Sequence, residues 1–292
     1  MAGRPGSPHG SPGWARVSAL AGLLILLRAG LPLLPVAASP ALDLIGALVF
    51  IVVVVLLCAE LSAVASARPL LAVLLAAVFG SIAYSAREAG AVRIDGPLPG
   101  AVGDLALVLC AILGGTLLSF IAREPNLLPP VAATAAAVDI VGVLTRGGFT
   151  ARMLEARPEV VHAFAATIPD VGAASTAARA GLHGVAPSAA LALVGLGDVL
   201  FLGFFFAAVA RFSLDRRWST VGALAACVLA MGLVLTTAGQ LPGLPFIVVG
   251  CLLPNVRRFR YSPQEVLMLA VGALAVTAIC AALVAVGLAT HY

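Results

Sequence analysis

Lysine is absent from this chain, and charged residues of either sign are scarce. All 17 basic residues are arginine, 13 residues are acidic, and charged residues make up only 10% of the 292 positions, whereas 62% are hydrophobic. A soluble core of this size would need more polar surface than this to cover it. The composition therefore argues against a soluble globular enzyme and predicts a polytopic membrane protein.

Residue types that form disulfides or hold metals are few and scattered. The five cysteines lie one per apolar stretch without a Cys-x-x-Cys pair, and the four histidines show no His-Glu-x-x-His spacing. We expect no disulfide framework, no metal and no other cofactor. The arginines fall at segment ends and form no continuous basic patch with interleaved aromatics, so no nucleic-acid partner is expected.

The apolar stretches are long enough to cross a membrane as helices, which takes about 20 residues because every backbone polar group must be paired within the segment. The sequence thus predicts an all-α, polytopic transmembrane helix bundle of about nine helices, near residues 18–38, 42–66, 69–86, 101–122, 129–145, 187–212, 218–238, 243–255 and 265–289. The Gly-, Pro- and Ser-rich residues 1–17 are expected to form a disordered cytoplasmic tail.

Two of these stretches have alternative interpretations. The first carries Arg28 and ends in Val36-Ala-Ala-Ser-Pro40, which also fits a signal peptide with a small-residue cleavage site, although we expect a retained helix. The eighth is only 13 residues long and has Pro245 near its start, which is typical of a half-helix buried in protein.

Arginine distribution predicts the orientation of the bundle. With the N-terminus in the cytoplasm, the inner segments carry ten arginines: Arg4, Arg16, Arg68, Arg123, Arg211, Arg216, Arg217, Arg257, Arg258 and Arg260. The protein is then expected to be an integral component of a bacterial or archaeal cell membrane. The one long polar loop, residues 146–186, would face outward, either as a lid or binding loop or as disordered chain.

Two apolar stretches each contain a carboxylate. Asp139 lies in Ala135-Ala-Ala-Val-Asp-Ile-Val-Gly-Val143, and Asp198 lies in Gly195-Leu-Gly-Asp-Val-Leu-Phe-Leu-Gly203. An acid within the membrane costs about 2.5–3.5 kcal/mol on insertion scales and normally faces a partner or a water-filled cavity. Since consecutive helices are usually neighbours, we expect the two acids to meet at the same depth.

Two carboxylates in contact cannot both ionise cheaply, so one keeps a proton near neutral pH while the other accepts one from water. Such a pair can hydrolyse a peptide bond: the ionised acid activates the water and the protonated acid polarises the carbonyl. A third motif, Gln240-Leu-Pro-Gly-Leu-Pro-Phe-Ile247, has prolines that interrupt helical backbone. Irregular backbone in lipid persists only beside protein or water, so this segment is expected to line the same cavity and to pair with an extended peptide.

Together these three motifs resemble the intramembrane aspartyl proteases of the presenilin and signal peptide peptidase type, over roughly residues 129–255. Val138-Asp139 looks like the first catalytic acid, Gly195-Leu-Gly-Asp198 matches Gly-x-Gly-Asp, and Leu241-Pro-Gly-Leu-Pro245 is similar to the Pro-Ala-Leu motif. The chain departs from the family in having Val138 instead of Tyr, Gly243 instead of Ala, and a further helix at 265–289.

The resemblance implies a presenilin-like fold and an enzyme that cuts the transmembrane segments of other proteins, either single-span helices or signal-peptide remnants. Residues 18–128 would supply N-terminal helices, 129–255 the catalytic core and 256–292 a loop with a C-terminal helix. Asp139 and Asp198 would be catalytic, and the implied substrate-binding residues are Gly195, Leu196, Gly197, Pro242, Gly243, Leu244 and Pro245.

Other interpretations remain open. Acids within the membrane and a Pro-broken helix also fit a proton- or cation-coupled transporter, although the chain shows no internal repeat. An inactive protease-like scaffold fits the departures from the family pattern. A prepilin-type peptidase shares Gly-x-Gly-Asp but would work at the cytoplasmic face. Three further acids, Asp43, Glu60 and Asp104, have weaker claims because no motif surrounds them.

Overall fold

The computed structural model describes residues 12–34, 40–91, 97–144, 165–167, 193–237 and 241–289. These ranges contain nine α-helices and one two-stranded antiparallel ladder. The helices are α1 (Pro12–Gly30), α2 (Pro40–Ser66), α3 (Pro69–Ala91), α4 (Pro97–Leu118), α5 (Leu128–Leu144), α6 (Leu196–Arg211), α7 (Arg216–Thr237), α8 (Leu244–Leu252) and α9 (Pro263–Ala289). The strands are β1 (Ala165–Thr167) and β2 (Leu193–Gly195).

Five helical segments within the described ranges are long and apolar enough to cross a membrane: Gly13–Leu33, Ala41–Ser66, Pro69–Ala86, Leu98–Ile121 and Pro125–Val143. Helix α8, with nine residues, is far shorter than the membrane is thick. The chain is therefore a membrane protein built as a helix bundle. Each predicted apolar stretch overlaps one described helix, and the number that crosses the membrane stays a prediction beyond these five.

Helix α1 begins earlier than predicted. It starts at Pro12, because proline is favoured in the first helical turn, and residues 12–17 are therefore helical where a disordered tail was expected. Val17 is buried and Trp14 packs on the core, which supplies the apolar contacts that order this segment. Residues 1–11 lie outside the described ranges. The retention of α1 in the mature protein stays a prediction.

Helix α6 forms the centre of the bundle, packed between α2 and α4. Its middle, Leu202–Val209, is continuously buried, and Phe205 and Phe206 are among the largest fully buried side chains of the described residues. Helices α4 and α6 approach closely at Gly203, where an added Cβ atom would lie 2.6 Å from the backbone oxygen of Ile112. The helix that carries Asp198 is thus held on two sides by the core.

Because of this close approach, Gly203→Ala is expected to destabilise the bundle. The new methyl group has no space against the α4 backbone, and overpacking of this kind typically costs about 1–3 kcal/mol. The measurement is the thermal unfolding midpoint of the purified chain in detergent. Gly272→Ala in α9, where an added Cβ atom meets nothing within 4 Å among the described residues, is the matched control and should not lower the midpoint, because alanine is the better helix former.

Several polar contacts tie helix ends together at the arginine-rich end of the bundle. Glu60 near the end of α2 pairs with Arg216 of α7 at 2.9 Å and with Arg16 of α1 at 3.7 Å. The Arg211 side chain at the end of α6 donates to the Ser119 carbonyl oxygen and lies over the Phe120 ring, 4.3 Å from its centroid. The ends of α1, α2, α4, α6 and α7 therefore lie at one level.

The loop that follows α8 is fixed at the same end. A 3₁₀ segment, Leu253–Arg258, continues α8, and within it the buried Asn255 donates to Ser219 Oγ at 2.7 Å and accepts from the Asp215 backbone N–H at 2.8 Å. These bonds connect the short helix α8 to the start of α7. They compensate for the small apolar area that a nine-residue helix can bury by itself.

Candidate active site

Asp139 lies on α5, eleven residues after the helix begins at Leu128, which places it about 17 Å along the helix from the arginine-rich end. Its side chain is partly buried. Helix α5 packs against α8 and α9. The carboxylate therefore lies within the membrane-crossing segment Pro125–Val143, four residues before its end.

Asp198 is the third residue of α6, in the first turn of the helix. The prediction of one continuous helix over 187–212 is wrong at its start, because Leu193–Gly195 is a strand paired with Ala165–Thr167 and Gly195 has extended backbone. The acid consequently lies at a helix N-terminus, where the helix dipole favours negative charge. Arg211 follows thirteen residues later, about 20 Å along the helix, so Asp198 and Asp139 are at similar distances from the arginine-rich end.

The start of α8 contacts both acids. Leu241–Gly243 is not helical, and the helix begins at Leu244 with Pro245 in its first turn. The Leu244 backbone N–H donates a hydrogen bond of 2.9 Å to Asp139 Oδ2. An added Cβ atom on Gly243 would lie 2.9 Å from Asp198 Oδ1 and 3.1 Å from its Oδ2. Gly243 thus borders Asp198, while the backbone N–H groups of Leu244 and Gly243 both face Asp139.

Helix α8 lies between the helices that carry the two acids. The sequence predicted that the helices of Asp139 and Asp198 are direct neighbours, but α5 and α6 form no substantial interface among the described residues, and both contact α8. Each carboxylate nevertheless borders one of two adjacent residues, Gly243 and Leu244, so the two acids lie close together. Within the described residues Asp139 accepts the Leu244 hydrogen bond, whereas no hydrogen bond to Asp198 is formed. The pair is therefore asymmetric.

The remaining residues of the motifs are placed in different ways. Gly195 ends β2, and a Cβ atom added to it would lie 3.3 Å from Asp198 Oδ2, so it borders the acid. Leu196 is partly buried against the core, while Gly197 is exposed and has open space beside it within the described residues. Pro242 is buried just before Gly243. Pro245 lies on another face of α8, in a groove toward α7.

Two of the other acids named from the sequence, Glu60 and Asp104, have arginine partners. Glu60 pairs with two arginines as described, and Asp104 accepts a 2.8 Å charged hydrogen bond from Arg28. Sequence reasoning did not identify these arginines as partners; the only available signal was an arginine or acid of matching depth in another helix. Among the described residues, no group of three or more His, Cys, Asp or Glu side chains is arranged to hold a metal ion.

Comparison of the chain with protein-family models, with curated proteins and with solved structures found no match.

Proposed function

We propose that this chain is an intramembrane aspartyl endopeptidase, with a presenilin-like arrangement, that hydrolyses peptide bonds in transmembrane segments with the Asp139/Asp198 pair. The observation that supports the proposal most directly is the convergence of both acids on Gly243 and Leu244, two adjacent residues of an interrupted helix. Three motifs that are far apart in sequence thereby meet at one point. A set of unrelated structural acids would not require that meeting.

The chemistry follows from the pair. The ionised acid removes a proton from water as the water oxygen bonds to the peptide carbonyl carbon, and the protonated acid donates its hydrogen bond to the carbonyl oxygen. The resulting tetrahedral species collapses when the C–N bond breaks and the amine leaves with a proton from the pair. One water is consumed, and a carboxyl end and an amino end are formed.

The asymmetry of the hydrogen bonding assigns the two roles within this proposal. Asp139 accepts the Leu244 N–H, and a hydrogen bond from a backbone donor favours the ionised carboxylate. Both acids lie at helix N-termini, Asp139 at that of α8 and Asp198 at that of α6, so this hydrogen bond, and not the helix dipole, distinguishes them. Asp139 is then the base that activates water. Asp198 donates its proton to the substrate carbonyl. Gly243, which has no side chain, leaves room for the Asp198 carboxyl beside the backbone.

A substrate must be extended at the bond that is cut, because a helix shields its peptide carbonyls. Two non-helical stretches border the acids: β2, directly before α6, and Leu241–Gly243, directly before α8. An unwound substrate segment can pair with such backbone by strand addition. The acids lie about 17–20 Å from the arginine-rich end of a hydrocarbon layer about 30 Å thick, so cleavage is expected in the opposite half of the membrane.

The test is cleavage of a panel of single-span reporter proteins by the purified chain in detergent, with products mapped by mass spectrometry. Cleavage within the apolar segment that a peptidic aspartyl-protease inhibitor abolishes is the expected result. No cleavage of any reporter by the folded chain would overturn the proposal. Proton-coupled uptake by the chain in liposomes would then support the transporter, and absence of both activities would favour an inactive scaffold.

A further inference from the structure

An apolar groove runs along the outside of the bundle between α7 and α8. It encloses about 540 Å³, in the range of small-molecule sites, and it lies between Gly222–Leu229 of α7 and Pro245–Pro254 of α8 with its 3₁₀ continuation. Every residue that lines it is apolar. It lies on a different face of α8 from the two acids.

The groove has a closed floor and an open side. At the floor the two backbones touch, since a Cβ atom added to Gly250 would lie 2.5 Å from the Gly222 carbonyl oxygen. Along the open side, Leu229, Val249 and Leu253 are each more than half exposed. In a bilayer these apolar side chains face the lipid, so a hydrocarbon chain can enter the groove sideways and cover them.

Basic and aromatic side chains continue both walls of the groove toward the arginine-rich end. In the 3₁₀ segment, Arg257 follows Pro254 by three residues and therefore shares its face. On α7, Trp218 precedes Gly222 by four residues, shares the groove face, and is 58% exposed. Arg257 and its neighbour Arg258 are exposed and form no ion pair among the described residues, unlike Arg216.

The length of the groove fits one leaflet. From Pro245 to Pro254 the chain rises about 15 Å, which is about half the hydrocarbon thickness. A transmembrane helix of a partner would need a groove of the full thickness. A glycerophospholipid has the matching form: an apolar chain of leaflet length, with a phosphate at the level where Trp and Arg side chains meet the membrane surface.

We propose that the α7–α8 groove is a binding site for an anionic glycerophospholipid of the leaflet at the arginine-rich end, with an acyl chain between α7 and α8 and the phosphate at Arg257. Bound lipid presses on the face of α8 that carries Pro245 and Val249, while the Gly243–Leu244 turn contacts the acids. The lipid therefore stabilises the position of the helix that joins the two carboxylates. The site does not depend on what those carboxylates do.

Trp218 makes the site directly measurable, because the chain has only two tryptophans and Trp14→Phe leaves Trp218 as the sole fluorophore. Phosphatidylglycerol with brominated acyl chains is titrated into the Trp14→Phe chain in detergent, beside brominated phosphatidylcholine. The expected result is Trp218 quenching at about fivefold lower mole fraction of the anionic lipid, since an arginine at the surface contributes about that factor. Equal quenching by the two lipids would overturn the proposal.

Three further measurements test where the lipid binds. Arg257→Gln should weaken binding of the anionic lipid about fivefold. Arg68 is an exposed arginine in the turn between α2 and α3, and Arg68→Gln should leave this binding unchanged. Ala225→Phe, which fills the groove, should reduce quenching by both lipids. Glycerol phosphate, the headgroup without chains, should not displace the lipid. Displacement by glycerol phosphate, or equal weakening by Arg68→Gln and Arg257→Gln, would contradict the site.

Discussion

Asp198→Asn is expected to abolish peptide-bond cleavage while leaving the bundle folded. Asparagine has the shape of aspartate but cannot donate the carboxylic proton, and loss of a positioned acid or base typically costs about 10²–10⁴-fold in rate. The same substitution removes one of two interacting carboxylates, so the thermal unfolding midpoint should equal or exceed that of the wild type. Reporter cleavage and thermal unfolding, measured on the same preparation, separate loss of chemistry from loss of structure.

The partner acid provides the control for this experiment. Asp139→Asn should lose cleavage to a similar extent, and the double variant should be no slower than either single one, because residues that act as a unit are strongly non-additive. Cleavage near the wild-type rate in either single variant would contradict a shared role. If the rate reduction in the double variant equalled the product of the two single reductions, the acids would act independently.

Gly243→Ala is expected to reduce cleavage about 100-fold, although alanine is the residue that the resembling family carries at this point of its motif. The new methyl group would lie 2.9 Å from Asp198 Oδ1, so the carboxyl must move away from its present position. A displacement of about 1 Å of a catalytic group can cost this factor in rate. The measurement is kcat for a cleaved reporter, since binding elsewhere along the substrate is unaffected.

Gly272→Ala is the matched control, because it adds the same methyl group to a helix in open space among the described residues. It should leave kcat unchanged. Wild-type kcat in Gly243→Ala would show that the Asp198 carboxyl tolerates the shift, and it would remove the steric reason for glycine here. A fall in the unfolding midpoint without a fall in kcat would assign Gly243 to packing alone.

The membrane-crossing part of the fold was predictable because long apolar runs have few alternatives. Five of the predicted stretches correspond to helices of sufficient length, and Pro12, Pro40, Pro69, Pro97 and Pro263 each begin a helix, as proline does readily in a first turn. The error at the N-terminus arose because residues 12–17 were grouped with the Gly-, Pro- and Ser-rich residues before them, whereas Trp14 and Val17 contact the core and order this segment.

Pairings between distant segments were not predictable from one sequence. The β1–β2 ladder joins Ala165 to Gly195, and nothing in the apolar run before Gly195 distinguishes a strand from a helix. The same is true of Glu60 with Arg216. For the site, the motifs correctly named the segments that meet, but the role of α8 as the element between α5 and α6 follows only from packing.

Helices α5 and α6, which carry the two acids, are buried in the bundle to different degrees. Asp198 begins the helix that fills the centre of the bundle, and nine of the 16 residues of α6 are buried. In the membrane-crossing segment Pro125–Val143, which carries Asp139, only 11% of the 18-residue apolar window is buried. Local opening is least costly where few apolar contacts are lost. Asp198 therefore lies on a firmly packed helix and Asp139 on a loosely packed one, so the separation of the carboxylates depends on the position of α5. A tilt of α5 about its first turns, where Leu128 and Ala132 belong to the core, would change the separation of the carboxylates while α6 stays in place.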